Sequence, residues 1–113
     1  MGSNYAAGHN AEKRAAVYLE SQGFAVLQLN WKTRYCEIDI VAKKDKVLYL
    51  VEVKYRRNTK HGGGLDYITP KKLHSMQFAA EMWVQNHDWP GDYQLAAVAI
   101  DANHIEFIDS IIT

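Results

Sequence analysis

The segment Glu37-Ile38-Asp39-Ile40-Val41-Ala42-Lys43-Lys44-Asp45-Lys46-Val47-Leu48-Tyr49-Leu50-Val51-Glu52-Val53-Lys54-Tyr55 decides how the chain is read. Its two apolar runs, Glu37 to Ala42 and Val47 to Tyr55, are rich in Val, Leu, Ile and Tyr and read as strands. The polar residues between them turn one strand into the other as a hairpin. Two registers are open. If Asp45-Lys46 is a two-residue turn, Asp39 lies opposite Glu52 with Cβ atoms about 5 Å apart. If Lys43 to Lys46 all belong to the loop, Asp39 opposes Leu50 instead. Side chains alternate along a strand, so in either register Asp39, Glu52 and Lys54 are expected on one face.

Two carboxylates that close on one face repel each other unless one keeps a proton or a cation lies between them. Mg²⁺ suits such a place, since it is held by one or two carboxylates together with waters and substrate phosphates. The backbone carbonyl of Val53 is a further candidate ligand. Lys54 is then placed to orient a water or to stabilise charge on a phosphate, beside a metal acting as Lewis acid and template. The same residues have a plainer reading, because a Glu-Val-Lys triplet on an exposed strand is a common surface ion pair of little energetic weight. Leu48, Leu50, Val51 and Val53 weigh against it: they make the strand a buried one, where charge needs a reason beyond solvation.

Outward from the hairpin, Ala11, Ala15, Ala16, Tyr18 and Leu19 recur at helical spacing over about Gly8 to Gln22, with Gly23 placed to end the helix. Phe24 to Trp31 reads as a strand with Leu27, Leu29 and Trp31 on one face. Beyond the Gly62-Gly63-Gly64 loop, Thr69-Pro70 is an N-cap followed by proline at the first helical position. The helix it opens carries Leu73, Met76, Ala80, Trp83 and Val84 on one stripe and ends near Asn86, before Trp89-Pro90-Gly91-Asp92. Tyr93 to Ile100 and Ile105 to Ile108 are two further strands. The order α-β-β-β-α-β-β predicts an α/β (α+β) domain: a three-stranded meander, a helical crossover to a fourth strand, and helices packed on a mixed central sheet. Residues 1–113 form one domain on this reading, with residues 1–4 set outside its ordered part.

The chain has 113 residues, with 13 Lys+Arg against 13 Asp+Glu and 48% apolar residues. That composition excludes a disordered polyelectrolyte. No apolar run approaches the roughly 18 residues that span a bilayer, and no basic-then-apolar leader opens the sequence. A single cysteine, Cys36, excludes an internal disulfide framework and fits a reducing, cytoplasmic setting. The neutral charge is an average. Between Lys32 and Lys72 there are 11 basic and 5 acidic residues, a net of +6, and the remainder carries −6. Such asymmetry points to one side that faces a polyanion. Arg34, Arg56, Arg57 and Lys60 flank the hairpin end as candidate phosphate contacts, and Lys71 and Lys72 open the later helix, whose N-terminus favours phosphate. A solvated basic loop is the plainer alternative for the same residues. The five histidines are scattered without metal-ligand spacing, so zinc is not expected. Glu37 is read as a partner for Arg34 or Arg56, or as a residue behind the metal ligands. No phosphate-binding loop of the nucleotide-hydrolase type and no dinucleotide fingerprint is present.

Glu37-Ile38-Asp39-Ile40-Val41 followed by Leu50-Val51-Glu52-Val53-Lys54-Tyr55-Arg56 resembles the PD-(D/E)xK nuclease signature. With Gly8-x-x-x-Glu12-x-x-Ala15, Gly23-Phe24, Asn30-Trp31 and Lys71/Lys72, most of the chain is similar to the YraN-like bacterial family, related to archaeal Holliday-junction resolvases. It departs from that family's pattern at Cys36, where glycine is usual. The resemblance implies a restriction-endonuclease-like core and a Mg²⁺- or Mn²⁺-dependent endonuclease acting on DNA, with branched or otherwise structured DNA as the candidate substrate. Asp39 and Glu52 match the metal-binding carboxylates, Lys54 the catalytic lysine, and Glu12 the acidic residue contributed by the first helix. Glu12 also lies near the apolar stripe of its helix, although an exposed helix glutamate is the plain alternative. A homodimer is expected, because a junction presents two symmetric cuts. A DNA-binding or scaffold module that keeps the fold without cutting is the competing expectation, and a structural domain whose carboxylates pair with Arg34 and Arg56 is a third.

Overall fold

The computed structural model describes residues 3–55, 68–109 and 111. The elements follow in the order α1 (Ser3–Ser21), β1 (Ala25–Lys32), β2 (Glu37–Lys44), β3 (Val47–Tyr55), α2 (Pro70–Asn86), β4 (Asp92–Ile100) and β5 (Ile105–Ile108). They form a single five-stranded sheet in the order β1-β2-β3-β4-β5. β1, β2 and β3 run as an antiparallel meander, β4 lies parallel to β3 after the α2 crossover, and β5 returns antiparallel. This is the α/β order and mixed sheet expected from the sequence. α1 starts at Ser3, inside the segment set apart as residues 1–4 and ahead of the Gly8 start expected from the periodicity.

Each helix covers one face of the sheet, so the molecule has two apolar layers. Ala11, Ala15 and Leu19 of α1 pack on Ile40, Ala42, Val51, Val98 and Ile100, and Leu19, Ile40 and Val98 are fully buried. On the other face Met76, Ala79, Ala80 and Trp83 of α2 pack on Val41, Leu48, Leu50, Leu95 and Ala97. β3 and β4 are covered on both sides, and for this reason their sequences are nearly continuous apolar runs. The buried Trp83 indole donates to Gln28 Oε1 at 2.9 Å, which ties the last turn of α2 to β1.

Both helices end in the same hydrogen-bonded motif. For α1, Gly23 at φ 95° follows the last turn; its N–H donates to Glu20 and that of Phe24 to Leu19. A left-handed residue closed by this bond pair is the Schellman arrangement, with the accompanying apolar contact supplied by Phe24 and Leu19 in one core. At the end of α2, Asp88 at φ 52° takes the glycine's place, with Asp88 N–H to Gln85 and Trp89 N–H to Val84. The α2 start is as the sequence predicts: Thr69 Oγ1 accepts the N–H of Lys72 at 3.1 Å, and Pro70 opens the helix. Asp45 at φ 58° and Lys46 at φ 117° make the two-residue β2–β3 turn, the geometry that matches strand twist.

β1 departs from its expectation. Its register shifts between Val26 and Gln28, and Asn30 sits at φ 52° within the strand. The pleat is broken twice, so Leu27, Leu29 and Trp31 do not share a face. Leu27 and Leu29 are exposed, while Trp31 packs on the α2-side core.

Candidate functional site

The hairpin register is the one in which Asp45-Lys46 is the turn. Lys44 pairs with Val47, Ala42 with Tyr49, Val41 with Leu50, and Ile40 with Val51. There the ladder stops. On its other side β2 pairs Ile40 with Leu29 and Ile38 with Trp31, passing over Asp39 and the left-handed Asn30. Asp39 is thus the residue of β2 at which pairing lapses toward both neighbours. Ile38 packs in the α2-side core, whereas Ile40 and Ala42 pack on the α1 side. Strict alternation would have put all three together, so the simple alternation used to place Asp39 does not extend to it.

Asp39 instead turns its carboxylate toward β3. Asp39 Oδ2 accepts the backbone N–H of Val53 at 2.8 Å, so a strand N–H is satisfied by a side chain where the ladder has let go. Burial lifts the Asp39 carboxyl from 3.8 to about 7; the negative charges of Glu52, Glu12 and Glu37 add to the effect, and the Val53 N–H opposes it. Three further acidic side chains therefore act on Asp39, from α1 (Glu12), β2 (Glu37) and β3 (Glu52). Glu12 is half-buried, on the turn between Ala11 and Ala15 that packs on the sheet. Lys54 lies two residues beyond Glu52, and the β3–β4 register is unbroken through Tyr55, so Glu52 and Lys54 leave β3 on the same side.

Lys72 reaches this cluster from α2. Its Nζ lies 3.0 Å from Glu52 Oε2. Beside the phosphate contact expected of it, Lys72 here partners a candidate metal ligand. The reason is that Thr69 caps the helix and sets Lys72 in the first turn, beside the open end of β3. Lys71 is exposed on the same turn. Arg34 is exposed in the β1–β2 connection, whose tight turn is closed by Thr33 N–H to the Cys36 carbonyl at 2.9 Å. Cys36 is not among the residues with positive φ, so the glycine usual at its position is not required by the backbone here. Arg56, Arg57, Lys60 and the Gly62-Gly63-Gly64 loop lie outside the described residues. Trp83 and Trp89 are packing residues of the α2-side core.

Among the described residues, no three His, Cys, Asp or Glu side chains close into a ready-made cation cage. The donor set still suits a hard cation that retains several waters. Asp39 and Glu52 supply carboxylate oxygens, and the like charges that raise the Asp39 carboxyl are what a divalent ion would relieve. In an antiparallel pair one residue turns its N–H and C=O to the same neighbour. The Val53 N–H faces Asp39, and by that rule its carbonyl opens toward the same gap. A groove of about 770 Å³, lined by Glu37 and Glu52, lies between the β1–β2 turn and the first turns of α2.

The family model for Uncharacterised protein family UPF0102 matches residues 11–106. A UPF0102 protein of Campylobacter fetus is 35% identical over 107 residues, covering 95% of this chain and 94% of that one. A UPF0102 protein of Neisseria gonorrhoeae is 36% identical over 104 residues, covering 91% and 90%. Among solved structures, the fold is similar to that of Hjc, a Holliday junction resolvase from the archaeal hyperthermophile Archaeoglobus fulgidus. The TM-score is 0.57 at 17% identity, with 87% of this chain and 72% of that chain covered. The core is therefore restriction-endonuclease-like, as the hairpin signature implied.

Proposed function

This chain belongs to Uncharacterised protein family UPF0102, and from that premise we propose that it is a divalent-metal-dependent endonuclease hydrolysing phosphodiester bonds of branched or otherwise structured DNA. The observation that carries the reading is the behaviour of Asp39. It leaves the sheet ladder, accepts the Val53 N–H, and collects the charges of Glu52, Glu12 and Glu37 around it. A structural role gives no reason to bring four carboxylates to the one place where two central strands part. The resolvase-like fold adds a second, coarser support.

Asp39, Glu52 and the Val53 carbonyl are the groups that would hold Mg²⁺ or Mn²⁺. The bound ion supplies Lewis-acid polarisation of the phosphate and a water of lowered pKa. For this the Asp39 carboxyl must give up its proton, which it keeps up to about pH 7 in the metal-free chain. Glu52 must exchange the Lys72 ammonium for the ion. Lys54, on the same side of β3 as Glu52, is the group that would orient the attacking water or stabilise charge on a phosphate oxygen. Glu12 supports the site from α1. Arg34 and Lys71 contact flanking phosphates, and Arg56, Arg57 and Lys60 extend this basic set along the chain. The acting species is a homodimer in the cytoplasm, since a four-way junction presents two symmetry-related strands; a sedimentation-velocity mass of one chain would remove the dimer from the reading.

A non-catalytic DNA-binding module is the competing reading. The Glu52–Lys72 ion pair favours it, because the chain itself supplies a cation to one of the carboxylates. The test is incubation of the full chain, with Mg²⁺ or Mn²⁺, against linear, nicked and four-way-junction DNA. Cleavage is expected for wild type and absent for Glu52→Ala. DNA that is bound yet uncut at high protein concentration selects the non-catalytic module.

A further inference from the structure

The groove lined by Glu37 and Glu52 has features the metal site does not need. Its walls carry Tyr35, 70% exposed in the β1–β2 turn, and Phe78, 44% exposed on α2. Neither ring belongs to either core. Tyr35 is presented by a fixed turn: Thr33 Oγ1 accepts the N–H of Tyr35 at 3.0 Å and that of Cys36 at 3.2 Å. The Arg34 guanidinium stands 5.6 Å from the Tyr35 ring centre, and Lys32 and Lys72 line the same groove. Aromatic faces interleaved with cations are the makings of a single-strand nucleic-acid site, where bases stack on rings and the backbone follows the positive charge. The volume, about 770 Å³, is that of a cleft for one small ligand; a duplex, whose major groove alone is about 12 Å wide, does not enter it.

We propose that this groove is a stacking subsite for an unpaired nucleotide next to the phosphate that is cut, with Tyr35 and Phe78 as its base platforms. The inference rests on the proposed nuclease reading and sharpens its substrate: the preferred DNA has unstacked bases beside the reactive phosphate. Glu37 and Glu52 line the same groove as the two rings, so a strand whose phosphate lies at the carboxylates has its neighbouring base within the walls that carry Tyr35 and Phe78. Arg34 and Lys32 then meet the following phosphates. A fully paired duplex cannot offer such a base without unpairing it.

The test uses the full chain with Ca²⁺ in place of Mg²⁺ and two fluorescent DNAs, each carrying 2-aminopurine. One is a flush duplex, and the other is the same duplex with the 2-aminopurine inside a short unpaired stretch. Wild type is expected to bind the unpaired probe about tenfold more tightly, the scale of one stacked base, and to quench its fluorescence. Tyr35→Ala and Phe78→Ala should each remove most of that preference and of the quenching while leaving flush-duplex affinity within about twofold. Tyr35→Phe, which keeps the ring, should retain both. Equal wild-type affinity for the two probes, or alanine variants that weaken both equally, overturns the subsite and leaves the nuclease reading standing. Failure of wild type to bind either DNA removes both.

Discussion

The two ends of the β2–β3 hairpin are built from the same strands and behave differently. At the turn end, Ile40 to Lys44 pair in unbroken register with Val47 to Val51, and Ile40, Val41, Leu48 and Val51 are fully buried. At the open end, Asp39 leaves the ladder and the Val53 N–H goes to its carboxylate. There burial, with the nearby charges of Glu52, Glu12 and Glu37, lifts the Asp39 carboxyl to about 7, while Lys72 pairs with Glu52. The closed end gains from every apolar contact. The open end keeps like charges together, an arrangement that makes chemical sense when a cation or a proton joins them. One hairpin thus keeps its apolar pairing and its charged cluster apart within a few residues of strand, because the ladder needs only part of its length to hold.

Substitutions at the two ends should therefore fail in opposite ways. The largest effect belongs to the open end: Glu52→Ala should reduce metal-dependent cleavage by about 10³-fold or more while the melting temperature changes little. A Glu52→Ala protein that unfolds instead would mean that the open end is structural after all. Next, Leu50→Ala at the closed end, 2% exposed in the α2-side core, should cost about 3 kcal/mol in chemical denaturation. If Leu50→Ala is nearly neutral in stability, the closed end does not hold the fold as described.

A third effect is smaller and depends on pH. Above pH 3.8 an unfolded chain has lost the Asp39 proton, whereas the folded chain keeps it to about pH 7. Between these values the folded state binds more protons, so metal-free stability falls as pH rises, by at most about 1.4 kcal/mol per pH unit, and levels off above pH 7. Asp39→Asn removes the ionisation and should be more stable than wild type at pH 8 by on the order of 2 kcal/mol. Denaturation curves at pH 5 and 8 check the sign; an Asp39→Asn protein less stable at pH 8 would break the account of the open end. Smallest is Lys46→Gly in the turn. Lys46 is a non-glycine residue at φ 117°, and glycine there should raise stability by about 0.5–1 kcal/mol in the same assay.

The hairpin was legible in the sequence because its signals were local. A polar turn between two apolar runs fixed the strands, and the two-residue register followed once Asp45 and Lys46 took positive φ. The helix ends were equally readable from Gly23 and Thr69-Pro70. What escaped depends on tertiary geometry. Asn30 is of a type that tolerates the left-handed region, but the apolar pattern around it gives no reason to break the strand there, and nothing in Asp39 announces that the pleat breaks. Lys72 was read as a phosphate contact from its place at a helix start; that the first turn of α2 abuts Glu52 follows only from how Met76, Ala79 and Trp83 seat the helix on the sheet. Tyr35 carried no periodic signal, and its meaning comes from lining one groove with Phe78.

The central claim is that the open end of the hairpin is a divalent-cation site. Calorimetric titration of the purified full chain with Mn²⁺ at pH 8 addresses it without reference to cleavage. The prediction is one ion per chain, an affinity that weakens as pH falls below about 7 while Asp39 regains its proton, and no binding to an Asp39→Asn, Glu52→Gln protein that melts as a folded domain. Absence of any Mn²⁺ binding to wild type, or equal binding to the double variant, would contradict it.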